Sequence, residues 1–469
     1  MSDMTTIIIE FVLSILSSSP LMVGLTTAFG YMLLRKPWKT VLSGFIKGAV
    51  GIYLLWLGAG AVVEVAMPIG DLTEIGLGLR GVLMSFNEDF VAIASAYIGE
   101  AIGPIIIGSF LINLAIARVT PFKYINLNVD NIFTSSGIGL VYYMMGFDMT
   151  TIILLTSITV AIMSAVFPAF ARPFMDKVTK NSGMQMGHAG TVGYALSASI
   201  GGLFGDPEQD VEKMKIPDSI SWLKDIVVST TIVMTIMLVC FSLAAGLDLV
   251  FTDFAGGTPL HVWFITQAMW FAAGISAILL GVRMMTTEIV PSFKGISDKV
   301  VPRAMVALDC PVIYPFAPMG LLIGFMFSIV GYLVALVIFL MFGGDLFPLI
   351  LFHSGLAFFL GANTGIFGNA AGGYKGAIIG PIIEALIRYI SASILCPWLG
   401  PLAMVITYGG SEEIMVTMFL LGIYNMSIGV SFGMILLAIP IIYWIAAYFF
   451  IVEVMAKRLK RIPDKFLVR

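Results

Sequence analysis

Apolar stretches long enough to cross a lipid bilayer alternate with short polar loops along this chain. A membrane-spanning α-helix needs about 20 apolar residues, because it rises about 1.5 Å per residue through a hydrocarbon layer about 30 Å thick. The pattern predicts about eleven such helices in an all-α polytopic membrane protein. Their expected limits are residues 7–34, 41–67, 98–118, 129–147, 150–171, 226–250, 262–287, 318–342, 346–365, 376–397 and 428–453.

Residues 182–205, 304–318 and 359–376 are too polar, too short or too rich in Gly and Pro to form plain spans. Non-helical backbone at membrane depth is tolerated only where it is buried in protein or lines a wet cavity. We therefore predict that these stretches are re-entrant hairpins around a pocket. Residues 206–224 carry closely spaced charges and are predicted to form an amphipathic helix on the cytoplasmic surface.

Lys and Arg cluster in every second loop, which orients the chain because these residues are retained on the cytoplasmic side during insertion. The clusters lie at residues 35–39, 118–123, 172–180, 213–224, 283–303 and 457–461. The alternate loops, near residues 68–90, 147–150, 251–261, 342–346 and 398–416, hold mainly acids, including Glu412 and Glu413. An odd number of spans then places the N-terminus outside and the C-terminus in the cytoplasm.

The composition supports lipid as the main solvent, since 59% of residues are hydrophobic, only 11% are charged and the mean hydropathy is +1.01. A net charge of −3 without a long basic tract excludes nucleic acid as a partner. The chain holds three cysteines, too few for a disulfide framework. The common nucleotide-binding and hydrolase motifs are missing, and no His, Cys or acidic residues have the helical spacing of metal ligands. We therefore predict no cofactor and no metal.

Asp309 is the ionisable residue that most needs an explanation. It lies in an apolar stretch before Pro311, where insertion of a charge costs about 2.5–3.5 kcal/mol. Its carboxylate either accepts hydroxyls of a polyhydroxy solute or accepts backbone N–H groups at a hairpin tip. His188 lies in a Gly-flanked break with the same two options. Asn363 and Thr364, on a Gly-rich stretch with Asn369, suit a hydroxylated ligand better than a metal.

Other polar residues are predicted to be structural. Glu384 and Arg388 are four residues apart on one helix, the spacing of an ion pair. His353 lies in an apolar run and is predicted to be a hydrogen-bonded core histidine. The pairs Gly372–Gly373 and Gly201–Gly202 are candidate hinges or sites of close helix packing.

A weak internal sequence similarity favours an inverted repeat. Arg35 precedes Gly48 by 13 residues and Arg283 precedes Gly295 by 12, each time at the cytoplasmic end of an apolar span. The offset suits two five-span halves, which must have opposite orientations because five is odd.

Residues 20–60, 187–205, 228–236 and 281–318 resemble the ascorbate-type membrane component, enzyme IIC, of the bacterial sugar phosphotransferase system (PTS), and the similarity continues in order along nearly the whole chain. The resemblance implies a homodimer of eleven-span protomers in the bacterial inner membrane. Each protomer has a scaffold, the V-motif domain, and a core that carries the sugar between two re-entrant hairpins in an elevator-type movement. A separate IIB protein, charged by IIA, phosphorylates the sugar.

By this resemblance the scaffold comprises residues 1–90 and 220–300, and the core comprises residues 91–219 and 301–427. Residues 428–469 form the last span and a cytoplasmic tail. The expected substrate-binding residues are the family's Asp-Cys and Gly-His positions, with their neighbours and the Gly-rich stretch: Asp309, Cys310, His188, Ala189, Thr134, Ser135, Asn363 and Thr364.

Several positions depart from the ascorbate pattern. Ala189, Thr134 and Ser135 stand where ascorbate members have glutamines, and Trp56 and Ala59 replace a glutamine and a serine. When a binding site loses side chains that hydrogen-bond its substrate, its specificity among substrates changes strongly. We therefore expect weak ascorbate binding, or a preference for a related sugar acid, pentose or polyol.

The sequence leaves two functions open. The first is a PTS IIC subunit that translocates a sugar. The second is an ion-coupled secondary transporter that releases a small hydroxylated solute without phosphorylation. Both need a polar site near the membrane midplane, so the spans do not separate them. An intramembrane enzyme is disfavoured because no nucleophile–base pair or metal set is evident.

Overall fold

The computed structural model describes residues 18–82, 87–128, 131–214, 219, 222, 225–343, 347–399 and 410–459. The main helices are α1 (Ser19–Leu33), α2 (Trp38–Leu77), α3 (Asn87–Val119), α4 (Asn131–Met144), α5 (Met149–Val166), α6 (Pro168–Val178), α7 (Thr191–Gly202), α8 (Ile226–Ala245), α9 (Leu260–Lys299), α10 (Pro318–Phe342), α11 (Ser354–Leu395), α12 (Ser411–Ser427) and α13 (Gly433–Ala447). Short 3₁₀ turns occur at Val211–Lys213, Cys310–Phe316 and Cys396–Trp398. Short α and π segments occur at Leu247–Leu249, Val250–Phe254, Tyr448–Met455 and Ala456–Arg458.

Within the described part of the chain, eight helical stretches are long and apolar enough to cross a bilayer. They comprise α2, most of α3, α5 with α6, α8, α9, α10, α11 and α13 with its continuation. The prediction of a helical multi-pass membrane protein is confirmed. Two predicted spans are shorter: α1 has 15 residues and α4 has 14. Residues 7–17 of the first predicted span lie outside the described residues.

The two 40-residue helices α2 and α9 cross in contact through glycines. A Cβ atom on Gly51 would lie 2.8 Å from the carbonyl oxygen of Gly281, and one on Gly274 would lie 2.8 Å from that of Gly58. Small residues let helix backbones approach closely in membranes. Because Gly51 meets Gly281 and Gly58 meets Gly274, the helices run antiparallel. Helices α1 and α8 pack on this pair.

Helix α11 is a helical hairpin. Its backbone leaves the helical conformation at Gly372 and Gly373, where Gly373 has a φ of +61° that favours glycine. A Cβ atom on Gly368 would lie 2.2 Å from the carbonyl oxygen of Gly376, so the two arms lie side by side. Residues 359–376, which were predicted to form a re-entrant hairpin, are helical except at this tip.

Residues 206–213, here called the strap, cover the hairpin tip. The Tyr374 N–H donates to the Gln209 carbonyl at 3.0 Å, and the Asn369 amide donates to Asp210 at 2.7 Å. The predicted surface helix is wrong for residues 206–214, which form turns and one 3₁₀ turn. Asp206 and Asp210 accept backbone N–H groups two residues on, a local bond that competes with the helix.

Glu212 joins the strap to the first turn of α10. Its carboxylate accepts the Gly320 N–H at 2.8 Å, and burial raises its pKa from 4.5 to about 7, with Asp210 nearby also raising it. The folded protein therefore holds a proton that the unfolded chain has lost between about pH 4.5 and pH 7, so the free energy of unfolding falls as the pH rises through that window.

We expect the thermal midpoint to fall from pH 5 to pH 8, and Glu212→Gln to reduce that fall by about 1–3 °C. The measurement is thermal unfolding of purified protein at both pH values. The exposed neighbour variant Glu208→Gln is the control. An unchanged pH dependence in Glu212→Gln would contradict the assignment.

Candidate functional site

Three short strands, β1 (Tyr124–Asn126), β2 (Met184–Met186) and β3 (Met305–Leu308), form a parallel sheet in the order β1-β3-β2. The sequence predicted no strand, and two of these segments fall in stretches expected to be re-entrant hairpins. Nearly every strand residue is buried, so the alternation of apolar and polar residues that reveals a half-buried strand is missing.

The sheet explains how distant residues meet. Parallel strands end at the same edge, and ligands in such sheets bind beyond the carboxyl ends. His188 follows β2 by two residues, and Asp309 and Cys310 follow β3 directly. Ligand-type atoms of these three residues lie within 4.8 Å of one another. Gly187 makes the edge possible, because a Cβ atom there would lie 2.5 Å from the Asn126 side-chain oxygen.

The hydrogen bonds of His188 show which of its ring nitrogens carries the proton. Its Nδ1 accepts the N–H of Gly190 at 2.8 Å and lies 2.7 Å from the Tyr194 hydroxyl. A backbone N–H only donates, so Nδ1 carries no proton and Nε2 carries the ring proton. His188 is therefore a neutral residue with an N–H donor at Nε2, and it is buried against the stacked Tyr194 ring.

Asp309 caps the 3₁₀ turn Cys310–Phe316, where one carboxylate oxygen accepts the Cys310 N–H at 2.5 Å. The tip-stabilising role expected as one alternative is thus present in the structure. A carboxylate has about four lone-pair sites, so a capping carboxylate can accept more than one hydrogen bond.

The Gly-rich stretch contributes one residue to this edge. Asn363 donates to the Phe359 carbonyl of its own helix at 2.7 Å and also to the Tyr314 hydroxyl at 3.4 Å, and Tyr314 lies in the turn that follows Asp309. The Thr364 hydroxyl donates to the Leu360 carbonyl of its own helix at 3.0 Å. The structure therefore brings Asn363, but not the hydroxyl of Thr364, towards the cluster.

Thr134, His188 and Ala189 line one cavity. Its volume is about 10 Å³, which is room for about one water molecule. A sugar is many times larger, so binding at this place requires the lining elements to move apart. Ser135, beside Thr134 on α4, is fully buried, and its hydroxyl has no hydrogen-bond partner in the described part of the chain.

The prediction that Glu412 and Glu413 lie in an outer loop is wrong. Both are in the first turn of α12 and are buried, with 0% and 3% exposure. Glu412 accepts the Gly193 N–H at 2.6 Å and the Tyr443 hydroxyl, which ties α12 to α7 and α13. Glu413 accepts the Thr134 hydroxyl at 2.9 Å.

The sequence contains a signal for the helix start at Glu412 and Glu413. Two acids after Gly-Gly-Ser and before an apolar run are typical of a helix N-terminus, where the helix dipole favours negative charge.

The structural predictions for other polar residues are confirmed. Arg388 and Glu384 form an ion pair at 3.2 Å with both side chains fully buried. His353 is buried and caps α11, its Nδ1 accepting the Leu356 N–H at 3.2 Å.

Trp56, one of the departures from the ascorbate pattern, lies on α2. It is 43% exposed, and its ring lies against Tyr53.

The cluster of His188, Asp309 and Cys310 is, among the described residues, the group that has the donor types of a metal site. The expectation of no metal rested on spacing along the chain, and spacing does not reveal residues joined by a sheet. A carboxylate acceptor beside a neutral N–H donor also suits vicinal hydroxyl groups, which both donate and accept.

The fold and this site define a multi-pass helical membrane protein with a buried polar cluster at a sheet edge. Residues 14–412 match the EIIC-GAT family, described as the PTS system sugar-specific permease component, and the chain belongs to this family. It is also similar to the "Ascorbate-specific PTS system EIIC component" of Mycoplasma pneumoniae, with 27% identity over 432 residues. The match covers 80% of this chain and 64% of that relative, so the chain spans less than two thirds of its length.

Proposed function

We propose that this protein is a IIC subunit that translocates L-ascorbate or a related sugar, sugar acid or polyol across the bacterial inner membrane. The observation that carries the proposal is the meeting of His188 and Asp309 at the carboxyl edge of the sheet, inside a chain of the PTS permease family. Substrate binding is assigned to Asp309, His188, Cys310, Thr134, Ser135, Ala189 and Asn363, with Thr364 as a further candidate.

The same proposal includes a homodimer and an elevator-type movement. Helices α1, α2, α8 and α9 pack on one another, and α7, α10 and α11 form a second closely packed group. We assign the first group to the scaffold and the second to the core. The small cavity at His188 supports a movement, because a sugar enters only when its lining separates.

The hairpin tip is assigned to the cytoplasmic side. Lys177 donates to the Ala370 carbonyl at 2.8 Å, and Arg458 donates to carbonyls of Gly202 and Gly205 beside the tip. Basic residues concentrate on the cytoplasmic face of membrane proteins. This orientation supports an outside N-terminus and a cytoplasmic C-terminus.

Phosphorylation is assigned to a separate IIB protein that IIA recharges, and family membership favours this over an ion-coupled transporter. The test is uptake of labelled ascorbate, pentoses and hexitols by cells that express this chain with or without its IIB partner. We expect the sugar phosphate to accumulate only with IIB. Equal accumulation of unmodified solute without IIB would overturn the proposal.

A further inference from the structure

The three strands of the sheet begin at one edge, which lies opposite the proposed sugar site. Because the strands are parallel, their amino ends meet on one side and their carboxyl ends on the other. Each strand is entered from a short loop that contains one basic residue and no acid. These loops are residues 120–123 with Lys123, residues 179–183 with Lys180 and residues 300–304 with Arg303. Together with Arg118 in the last turn of α3, these residues are here called the basic edge.

Contacts hold Arg118, Lys123 and Arg303 close to one another. The Lys123 carbonyl accepts the Met305 N–H at 2.8 Å, so Lys123 lies beside the loop that carries Arg303. Its ammonium group donates to the Ala117 carbonyl at 2.8 Å and to the Arg118 carbonyl at 3.2 Å. Burial lowers the pKa of Lys123, and the charges of Arg118 and Arg303 lower it further. Positive charges from α3 and from the loop before β3 therefore lie in one place.

In the part of the chain that the structure describes, no salt bridge neutralises this charge. The ion pairs there are formed by other residues, such as Arg172 with Asp176 at 3.6 Å. Arg118 and Arg303 are exposed, and an arginine side chain keeps its charge at physiological pH. An anionic surface placed against the basic edge is therefore attracted by charges that these residues leave unpaired.

Helix α6 links the sheet to the hairpin tip, which is assigned to the cytoplasmic side. Lys177 donates to the Ala370 carbonyl at the tip, and Asp176 accepts the Gln185 amide of β2 at 3.1 Å. The basic edge also belongs to loops that the positive charge predicts to be cytoplasmic. A strand of three residues is about 10 Å long. A protein that docks on the basic edge is therefore separated from the proposed sugar site by about the length of one short strand.

We propose that the basic edge is the docking surface for the IIB partner, which contacts it through an acidic face. A protein that phosphorylates the sugar has to approach from the cytoplasm, and the strands join this surface directly to the residues that follow them at the site. Charges on such a surface speed the encounter and fix the orientation of the partner. The inference rests on the proposed PTS function and names where the partner meets this chain.

The test is a binding titration of the purified full-length protein with its purified IIB partner at low and at high salt. The variant Arg118→Gln with Arg303→Gly removes two charges from the basic edge. Arg303 has a φ of +65°, which favours glycine, so the change does not strain the backbone. We expect IIB binding at low salt to weaken by about 5- to 30-fold, because two charge pairs are lost. High salt should weaken wild-type binding more than binding by the variant.

Arg35→Gly with Lys36→Gln is the matched control. Both residues are exposed in a basic loop that is also predicted to be cytoplasmic but belongs to the proposed scaffold, and Arg35 has a φ of +53°. The control removes the same number of charges and places glycine in the same conformation. It should bind IIB as the wild-type protein does. Both double variants should retain wild-type sugar binding and a wild-type size-exclusion profile.

Three results would overturn the inference and leave the transport function intact. The first is wild-type IIB binding by the folded basic-edge variant, and the second is an equal loss of binding in the control. The third is unchanged IIB binding while nanodiscs with anionic lipid stabilise the wild-type protein more than the basic-edge variant, which would assign the surface to lipid headgroups. A wild-type protein that neither binds IIB nor forms a sugar phosphate with it would instead overturn the proposed function, and the inference with it.

Discussion

Asp309→Asn is expected to weaken sugar binding by about 10- to 150-fold and to leave the protein folded. The amide keeps the shape of the side chain but removes the charged acceptor, and a hydrogen bond to a charged group contributes about 1.5–3 kcal/mol. The amide oxygen still accepts the Cys310 N–H, so the cap of the 3₁₀ turn is retained. The measurement is a binding titration of the purified variant with the best substrate of the wild-type protein.

Asp225→Asn is a matched control. Asp225 also caps a helix, accepting the N–H groups of Val227 and Val228 at the start of α8, and it belongs to the proposed scaffold, not to the core. It should bind sugar as the wild-type protein does. Wild-type affinity in Asp309→Asn would show that Asp309 serves the turn alone.

Arg388→Met is expected to destabilise the protein by about 3–5 kcal/mol, because it leaves the fully buried Glu384 without its partner. Arg388 also lies 4.5 Å from the centre of the Tyr389 ring, a cation–π contact that methionine cannot replace. The measurement is thermal unfolding in detergent. We expect low yield or a clearly lower midpoint for this variant.

The double variant Glu384→Gln with Arg388→Met should recover much of the loss, since it removes both charges. The exposed pair of Lys457 and Glu453 has the same spacing and gives the control: Lys457→Met should cost less than about 1 kcal/mol. Equal stability of Arg388→Met and the wild-type protein would contradict the importance of the buried pair.

The helices and the hairpin break could be predicted because their causes are local. A helix must present about 20 apolar residues to lipid wherever it crosses, so hydropathy alone locates α2, α8 and α9. The Gly372–Gly373 break follows from a backbone conformation that glycine adopts without strain. The ion pair of Glu384 and Arg388 could be predicted from the helical repeat alone, because residues four apart lie on the same face of a helix.

The site could be predicted only through resemblance to known proteins. Asp309 and His188 stood out because charged or polar residues in apolar surroundings need partners, but nothing in their spacing showed that they meet. The alternation of basic and acidic loops predicts an outer loop near residues 398–416, and this loop includes Glu413. The burial of Glu413 depends on contacts of α12 with α4 and α7, which are remote in sequence.

The sequence by itself determined that this chain is a helical membrane protein, where its main spans lie, and which polar residues need a partner. Only the tertiary structure decided which partners they have. The physical reason is that lipid exposure constrains each segment separately, whereas the sheet of β1, β2 and β3 joins strands that are far apart in the chain. Pairing across that distance brings His188 to Asp309, while packing of α12 on α4 and α7 sets Glu413 behind Thr134.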